Sequence, residues 1–207
     1  MLRITLACAF LFVAVHAADI PADYKGKPWQ DKPQTIPGKI IAAFYDTGGE
    51  GVAYHDVDAK NQGSGTLNKG PEEKNNFRKE EGVDVSYTKA AFDKFADGTK
   101  LEVDKYYVGW TAAGEWLNFT VNVETAGTYT VKMLASSNNK DAEISLSVNN
   151  ADKTNSIVLE STGHWHTWKM YEKIAEIPLE KGPQLLTLKF VKEGNMNVQF
   201  LEFELKK

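Results

Sequence analysis

From Lys39 onward, short runs rich in β-branched and aromatic residues alternate with clusters of Gly, Asn and Asp. This spacing is typical of a β-sandwich or barrel and leaves no room for long helices. The runs predict eight strands: Lys39–Tyr45, Trp116–Val123, Thr128–Ser136, Glu143–Val148, Ser156–Glu160, Lys169–Pro178, Gln184–Val191 and Asn197–Leu205. Only residues 71–80 and 88–104 have a helical pattern, and we expect any helix there to be short.

Residues 116–123 show the alternation most clearly. Leu117 and Phe119 fall on one face of the predicted strand, and Trp116 and Asn118 fall on the other. The turn residues 125–127 follow directly and predict a hairpin with the next strand. Eight such strands predict an all-β fold, namely two stacked antiparallel sheets of jelly-roll topology.

The N-terminus predicts a secreted protein. Arg3 is followed by an apolar run of 12 residues, Ile4–Val15, which is shorter than the roughly 20 residues needed to span a bilayer. Small residues around Ala17 favour cleavage there, so we expect a signal peptide over residues 1–17 and an extracellular location. A membrane anchor or a buried N-terminal helix is the alternative.

Charge and cysteine content limit the remaining chain. The only cysteine, Cys8, lies in the predicted signal peptide, so the remaining 190 residues carry no disulfide. A chain of that length buries about 70% of its unfolded surface and can stabilise one hydrophobic core. The formal charge of -4, or -5 without Arg3, is spread along the chain. This argues against nucleic acid or an anionic membrane as a partner.

Residues 18–36 are polar, carry three prolines and show no periodicity. We expect an extended N-terminal segment here, with Trp29 able to pack against the domain. The folded module is then expected to span residues 37–207.

Three motifs stand where strands are predicted to meet loops: VGWTAAGEWL at 108–117, GHWHTW at 163–168 and NMNVQF at 195–200. Together they place two tryptophans and an asparagine at these junctions. Exposed indole rings can stack on the C–H-rich face of a sugar, and an amide can bond its hydroxyls. A tryptophan in a β-protein is by default a packing residue, so the pattern leaves both roles open.

With these motifs, IPGKIIAAFYDTGGEGVAYHD at 36–56, FRKEEGVDVSYT at 77–88 and AGTYTVKMLASS at 126–137, the chain resembles the family 6 carbohydrate-binding modules. The resemblance covers almost everything from Ile36 to Leu205. It implies a galactose-binding-domain-like β-sandwich that binds β-linked polysaccharide without catalysis. It also implies that Trp110 and Trp165 grip a sugar between them and that Asn197 bonds its hydroxyls.

The chain departs from the family pattern at several positions. Ser86 stands where a glutamate is common, so its part in binding is at most accessory. Ile41 and Ala43 stand where side chains help to ligate a structural calcium. Calcium takes six to eight oxygen ligands, so we expect an empty or weakened site, and no other cofactor or metal.

Trp116 matches an aromatic of a second cleft that some family members use, and Ser147 stands at its partner glutamate position. Asn118 begins an Asn-Phe-Thr glycosylation sequon on the same predicted face. A glycan there would cover that face. We therefore expect Asn118 to be an N-glycosylation site and the second cleft not to bind sugar, leaving Trp116 as an accessory at most.

Four further features have structural explanations. His164 and His166 flank Trp165, but no third histidine is near in sequence, so we expect cleft-lining residues rather than metal ligands. Trp168 is expected in the core. Residues 45–70 form a Gly/Asn/Asp-rich stretch with several candidate acid–base side chains: Glu50, Tyr54, His55 and Asp56. We interpret this stretch as a turn-rich connection without catalytic function.

Three functions remain open. We favour a monomeric, non-catalytic protein that binds β-glucan or xylan and acts beside separate glycoside hydrolases. A matrix, adhesion or interaction protein with reduced sugar binding is the second possibility. A small glycoside hydrolase is the third, and it would need two carboxylates about 5–9.5 Å apart in one groove.

Overall fold

The computed structural model describes residues 19–63, 72–138, 142–192 and 195–207. The predicted signal peptide, residues 1–17, and residues 64–70 of the predicted connection lie outside these ranges. Among the described residues, no helix has the length and apolar character needed to cross a bilayer.

Strands are the main regular structure of the described chain, and very little of it is helical. Its single α-helix is α1, Glu72–Asn75, and short 3-10 turns occupy Trp29–Asp31 and Ala42–Phe44. The strands are β1 Gln34–Ile36, β2 Gly38–Ile41, β3 Tyr54–His55, β4 Val85–Tyr87, β5 Lys94–Phe95, β6 Tyr106–Val108, β7 Trp116–Val123, β8 Gly127–Ser137, β9 Ala142–Val148, β10 Ala151–Asp152, β11 Ile157–Leu159, β12 Thr167–Leu179, β13 Gly182–Lys192 and β14 Met196–Leu205.

The strands form two sheets packed face to face. Sheet I has the order β1-β7-β13-β9-β10, with β3 paired to β7 and β11 paired to β9. Sheet II has the order β4-β6-β14-β8-β12-β5, with β2 paired to β14. The long strands alternate between the sheets along the chain, since β7, β9 and β13 lie in sheet I and β8, β12 and β14 lie in sheet II, as expected for a jelly roll. The predicted all-β sandwich is confirmed.

The predicted hairpin between β7 and β8 is wrong. β7 pairs with β13 in sheet I, and β8 pairs with β12 and β14 in sheet II. Residues 124–126 therefore cross from one sheet to the other. The reason is burial: Phe119 of β7 and Tyr129 of β8 are both fully buried in the core between the sheets. A flat hairpin would place both strands on one side of that core.

The first predicted strand, Lys39–Tyr45, is shorter than expected. β2 ends at Ile41, and the chain turns through a 3-10 helix at Ala42–Phe44. The Gln34 side chain fixes this change, because its Oε1 accepts from Ile41 N at 2.7 Å while its Nε2 donates to Phe44 O at 3.2 Å.

The main core lies between the sheets. It combines residues of sheet I, such as Leu117, Leu188 and Phe190, with residues of sheet II, such as Met133 and Phe203. A second, smaller cluster lies on the outer face of sheet II and consists of Leu101, Tyr107, Leu134, Trp168 and Phe200. Trp168 is 0% exposed, which confirms its predicted place in a core.

The N-terminal segment is docked on the domain along its length. β1 pairs in parallel with β7 at the edge of sheet I, although we expected the folded module to begin only at residue 37. The Trp29 ring packs 5.4 Å from the ring of Phe77, and the Arg78 guanidinium lies 4.5 Å above it. Tyr24 donates from its hydroxyl to Asp46 Oδ2 at 2.7 Å.

Candidate functional site

The three sequence motifs meet at one end of sheet II. β14 pairs with β6 at Val198 and Val108, so the residues just outside that pair, Asn197 and Gly109, lie side by side. β14 also pairs with β8, which places Asn197 opposite Ser136. Trp110 follows the end of β6, and Trp165 precedes β12 at the same end.

The Asn197 side chain connects these loops. Its Nδ2 donates to the carbonyl oxygen of Trp165 at 2.7 Å and to Ser136 Oγ at 3.3 Å. Ser136 Oγ in turn donates to the same Trp165 carbonyl. The Oδ1 atom lies on the Gly109 side, and among the described residues no side chain or backbone group donates to it. Asn197 thus positions Trp165, a role that the sequence did not predict.

Trp165 is held at a second point by Asn195, the residue before β14. Its indole Nε1 donates to Asn195 O at 3.2 Å, and its side chain remains exposed, with 37% of its residue surface accessible. Asn195 has a left-handed φ of 61° and its backbone N–H donates to Thr111 O. The loops of Trp165 and Trp110 are therefore joined through Asn195.

Trp110 is exposed to a similar extent, 38%, and its backbone is constrained. Its φ is +52°, which is rare for a bulky residue. Gly109 N donates to Asp84 O at 2.9 Å on one side. On the other side, Thr111 Oγ1 accepts from Met196 N at 3.1 Å. Such backbone geometry persists only where neighbours fix it, and it is concentrated at binding and active sites.

Two glycines make room for this arrangement. A Cβ atom at Gly109 would lie 2.5 Å from Asn197 Oδ1, and one at Gly63 would lie 3.0 Å from the Trp110 ring. The structure therefore presents two exposed indoles, fixed at their backbones, with a buried amide between their loops.

The positioning residues Ser136, Thr111 and Asn195 were not identified from the sequence, because serine, threonine and asparagine beside strands give no distinctive signal.

Ser86 is buried on β4 below this end of the sheet. It pairs with Tyr107 across the β4–β6 ladder, and Lys89 Nζ lies 3.5 Å from its hydroxyl. Burial raises the pKa of Tyr107 to about 12, partly offset by the hydrogen bond with Ser86. Lys89 also lies 4.1 Å from the centre of the Tyr87 ring. An ammonium group is therefore placed beside the position where the family often has a carboxylate.

A buried aspartate organises the residues that flank Trp165. Asp93 Oδ1 accepts from Trp168 Nε1 at 2.7 Å and from His166 Nδ1 at 3.0 Å, and Oδ2 accepts from Lys89 N at 2.6 Å. Burial acts to raise the pKa of Asp93, but these hydrogen bonds outweigh it and hold the pKa below its usual range.

The outer face of sheet I carries a separate pocket of about 380 Å³. Half-buried Trp116 lines it together with Ser147, and Asp23 and Tyr24 of the N-terminal segment form part of its wall. The second cleft of the family resemblance therefore has a wall contributed by the N-terminal segment.

Asn118 lies in the floor of this pocket. Its Nδ2 donates to Val52 O at 2.9 Å, and its Oδ1 accepts from Thr187 Oγ1 at 2.6 Å. The residue is only 8% exposed. A glycan would replace one Nδ2 hydrogen while the other can still bond Val52, and it would have to leave the nearly buried nitrogen through this pocket. Glycosylation of Asn118 stays a prediction.

Several carboxylates lie close together beside the Trp110 loop. Burial raises the pKa of Glu115 to about 7 and that of Asp84 to about 6, and the charge of Asp56 adds to both effects. Glu115 accepts from Ala112 N at 2.7 Å and from Val57 N at 3.3 Å. Glu115 therefore joins the 50s loop to the turn after Trp110.

The residues present do not fit the family calcium. No group of three or more His, Cys, Asp or Glu within the described ranges could hold a metal ion. At the family ligand positions, Ile41 and Ala43 carry no side-chain oxygen, and the Gln34 amide bonds the backbone of Ile41.

The candidate acid–base residues of the 45–63 region form structural contacts within this region and with Gly82. His55 Nδ1 pairs with Glu50 Oε1 at the surface, and Glu50 Oε2 accepts from Asp56 N at 3.0 Å. Tyr54 is buried, and its hydroxyl accepts from Gly82 N at 3.1 Å. These contacts agree with a connecting loop.

Solved structures resemble this sandwich. One is a β-1,3-glucan-binding family 6 module from Bacillus halodurans, 13% identical, with 84% of this chain and 99% of that chain covered and a TM-score of 0.54. Another is an arabinoxylan arabinofuranohydrolase of glycoside hydrolase family 43 from Bacillus subtilis in complex with cellotetraose. It is 12% identical, with 84% of this chain and 28% of that chain covered and a TM-score of 0.53. At such identities the likeness shows the fold alone.

Sequence comparison identifies the family. No curated protein matches the chain, but the model of the carbohydrate-binding module family 6 matches residues 76–207, more than half of the chain. The matched residues include Trp110, Trp165 and Asn197. This chain therefore belongs to the family 6 carbohydrate-binding modules, which bind polysaccharide and are not themselves catalytic.

Proposed function

We propose that this protein binds a β-linked polysaccharide of the β-glucan or xylan type between the side chains of Trp110 and Trp165. The observation that carries the proposal is that the same residues hydrogen-bond the loops of both tryptophans. Asn197 and Asn195 bond Trp165, and Asn195 also bonds the backbone beside Trp110. The Trp165 indole and the backbone of Trp110 are thus fixed while both rings stay exposed, which lowers the entropy lost when a sugar binds.

The expected affinity is modest. By analogy with nucleobases, one aromatic–sugar stack contributes on the order of 1–3 kcal/mol. Two such contacts and one amide correspond to roughly micromolar to millimolar dissociation constants. A polymer with many repeats compensates for weak single sites, because neighbouring sites raise the effective concentration.

The ligand class is supported by the names of the structural relatives. The Bacillus halodurans module is described as binding β-1,3-glucan, and the Bacillus subtilis enzyme was solved with cellotetraose. Both ligands are β-linked glucans. The buried Ser86 and the neighbouring Lys89 make this end of the sheet different from the family pattern, so the preferred polymer has to be measured.

We also propose that the protein is secreted after cleavage at Ala17, is monomeric, and works beside separate glycoside hydrolases. The proposal of secretion rests on the apolar run Ile4–Val15 and the small residues that follow it. Expression of the full chain in a secreting host, followed by N-terminal sequencing of the medium, tests the cleavage site. A product retained in the membrane fraction would contradict it.

The function is tested by pull-down of residues 18–207 on insoluble β-1,3-glucan, cellulose, xylan and chitin. We expect retention on a β-glucan or on xylan, and loss of that retention in Trp165→Ala. A folded wild type that no polymer retains would instead favour an adhesion or interaction role. Release of reducing sugar from any of these polymers would favour a glycoside hydrolase.

A further inference from the structure

Three further rings continue from Trp165 beside the cleft. Together they form a continuous strip, which we name the ring strip: Trp165, His164, His166 and Phe92. The ring centroids of His164 and Trp165 are 6.1 Å apart, those of His164 and His166 are 5.5 Å apart, and those of His166 and Phe92 are 5.6 Å apart. Phe92 at the far end is 59% exposed.

Phe92 is fixed in this position by backbone pairing. Residues 89–93 form a turn in which Asp93 N donates to Lys89 O at 2.9 Å. The strand that follows, β5, pairs in parallel with the start of β12, and Lys94 N donates to His166 O at 3.1 Å. The turn therefore projects Phe92 beside His166 rather than leaving it on a free loop.

The two histidines are held in opposite tautomers. His166 Nδ1 donates to the ionised carboxylate of Asp93 at 3.0 Å, so in the neutral ring its Nε2 is an acceptor. The backbone N–H of His166 donates to His164 Nδ1 at 3.0 Å, so the Nε2 of His164 carries the hydrogen. The pair thus offers one donor and one acceptor between two exposed rings.

These features are opposed to a metal site. A metal ion needs an unprotonated ring nitrogen from each histidine, whereas the bond to His164 Nδ1 leaves that ring with a protonated Nε2. A donor and an acceptor between aromatic faces instead fit adjacent sugar hydroxyls, each of which both donates and accepts.

We propose that the ring strip is a second sugar subsite, which takes a following residue of the polysaccharide chain that Trp110 and Trp165 hold. This inference rests on the proposed function. Phe92 stacks on the sugar ring, His164 donates to one hydroxyl and His166 accepts from its neighbour. Asp93 is a positioning residue that fixes the tautomer of His166. The binding site consequently favours chains over mono- and disaccharides.

The test is isothermal titration with β-1,3- and β-1,4-linked glucose oligosaccharides of two and six units. We expect Phe92→Ala to weaken hexasaccharide binding roughly tenfold and to leave disaccharide binding unchanged. Phe92→Tyr should retain hexasaccharide binding. Val158 on β11 is a matched control, because it is 56% exposed and lies on sheet I; Val158→Ala should change neither affinity.

Each result separates the two proposals. If Trp165→Ala weakens both oligosaccharides while Phe92→Ala weakens neither, the ring strip is not a subsite and the proposed function stands. If Phe92→Ala weakens both equally, Phe92 belongs to the first subsite and a separate second subsite is wrong. If the folded wild type binds no member of either series, both proposals fail.

Imidazole nitrogen NMR gives a second readout that a purely structural role would not move. The free wild type should show His166 protonated at Nδ1 and His164 protonated at Nε2. Hexasaccharide should shift the His166 Nε2 resonance, and disaccharide should not. Asp93→Asn should weaken the preference of His166 for its tautomer and reduce the hexasaccharide affinity alone. An unshifted Nε2 resonance at saturating hexasaccharide would overturn the proposal.

Discussion

The amide nitrogen of Asn197 donates to the backbone carbonyl of Trp165 at 2.7 Å. This bond joins β14 to the loop before β12, and with it the buried amide sets the position of an exposed indole. The same amide packs against Gly109, next to Trp110. Asn197 therefore supports both aromatic sides of the cleft.

Asn197→Ala should lower both stability and sugar binding. The substitution removes a buried donor and leaves the Trp165 carbonyl with Ser136 as its remaining partner, so the free energy of unfolding should fall by about 1–3 kcal/mol. Urea unfolding measures the stability and titration with oligosaccharide measures binding. Asn197→Asp should be at least as damaging, because its carboxylate oxygen would face the carbonyl. An Asn197→Ala variant of unchanged stability would contradict the assigned contact.

Gly109→Ala should disturb the cleft without touching either tryptophan. The added Cβ would lie 2.5 Å from Asn197 Oδ1, and Asn197 cannot move away while its nitrogen holds Trp165. Overpacking of this kind costs about 1–3 kcal/mol. We expect a lower melting temperature together with weaker polysaccharide retention. Wild-type retention by a stable Gly109→Ala protein would show that the Asn197 position does not matter for binding.

Glu115 should make stability fall as pH rises. Burial raises its folded-state pKa to about 7, whereas an unfolded glutamate titrates near ~4.3. Between these values the folded protein holds a proton that the unfolded chain has released, so this stabilisation is lost as pH rises toward 7 and is absent above it. Asp84, with a pKa of about 6, acts in the same direction.

Denaturant unfolding at pH 5 and pH 8 checks this effect in wild type and in Glu115→Gln. The neutral amide has no proton to lose, so the variant should lose less stability between the two pH values, by about 1–3 kcal/mol. The amide oxygen can accept from Ala112 N, but the NH2 group then faces Val57 N, so Glu115→Gln should be somewhat less stable than the wild type at both pH values. Equal pH dependence in the two proteins would contradict the assignment to Glu115.

Trp29→Ala should loosen the N-terminal segment. The indole contacts Phe77 and lies under the Arg78 guanidinium, and its loss should cost about 1–3 kcal/mol, less than for a fully buried aromatic. Limited proteolysis should then cut within residues 19–33. Lys32→Ala on the same segment is the control, because Lys32 is exposed. Equal cleavage of both variants would argue against Trp29 as the anchor.

Local patterns predicted the strands of this fold better than their partners. The alternation of apolar and polar residues marked the bounds of β7 correctly. The alternation and the strand bounds both depend only on residues that are close in sequence. The choice between a hairpin and a crossing of the sandwich depended on which core Tyr129 joins, which is a long-range property. The same reason explains why Gln34, with its bonds to Ile41 and Phe44, was not foreseen as the end of β2.

The candidate site shows the same contrast between what short-range patterns predict and what long-range contacts decide. The motifs identified Trp110 and Trp165 as candidates, and the structure leaves both exposed. Asn197 was expected only to bond a ligand, whereas its nitrogen is engaged with Trp165. The outward face of β7 was expected to carry a glycan on Asn118. The side chains of Asn118 and Thr120 bond the carbonyl of Val52 and the carboxylate of Asp46, and no short-range pattern indicates these contacts.

The central claim is most directly tested by isothermal titration of the polysaccharide retained in pull-down, or of its oligosaccharides, against three single variants. Trp110→Ala and Trp165→Ala should each weaken binding by about tenfold or more. Trp116→Ala, on the outer face of sheet I, should bind as the wild type does. If Trp116→Ala alone abolishes binding while both other variants retain it, sugar is held on sheet I and the assigned cleft is wrong.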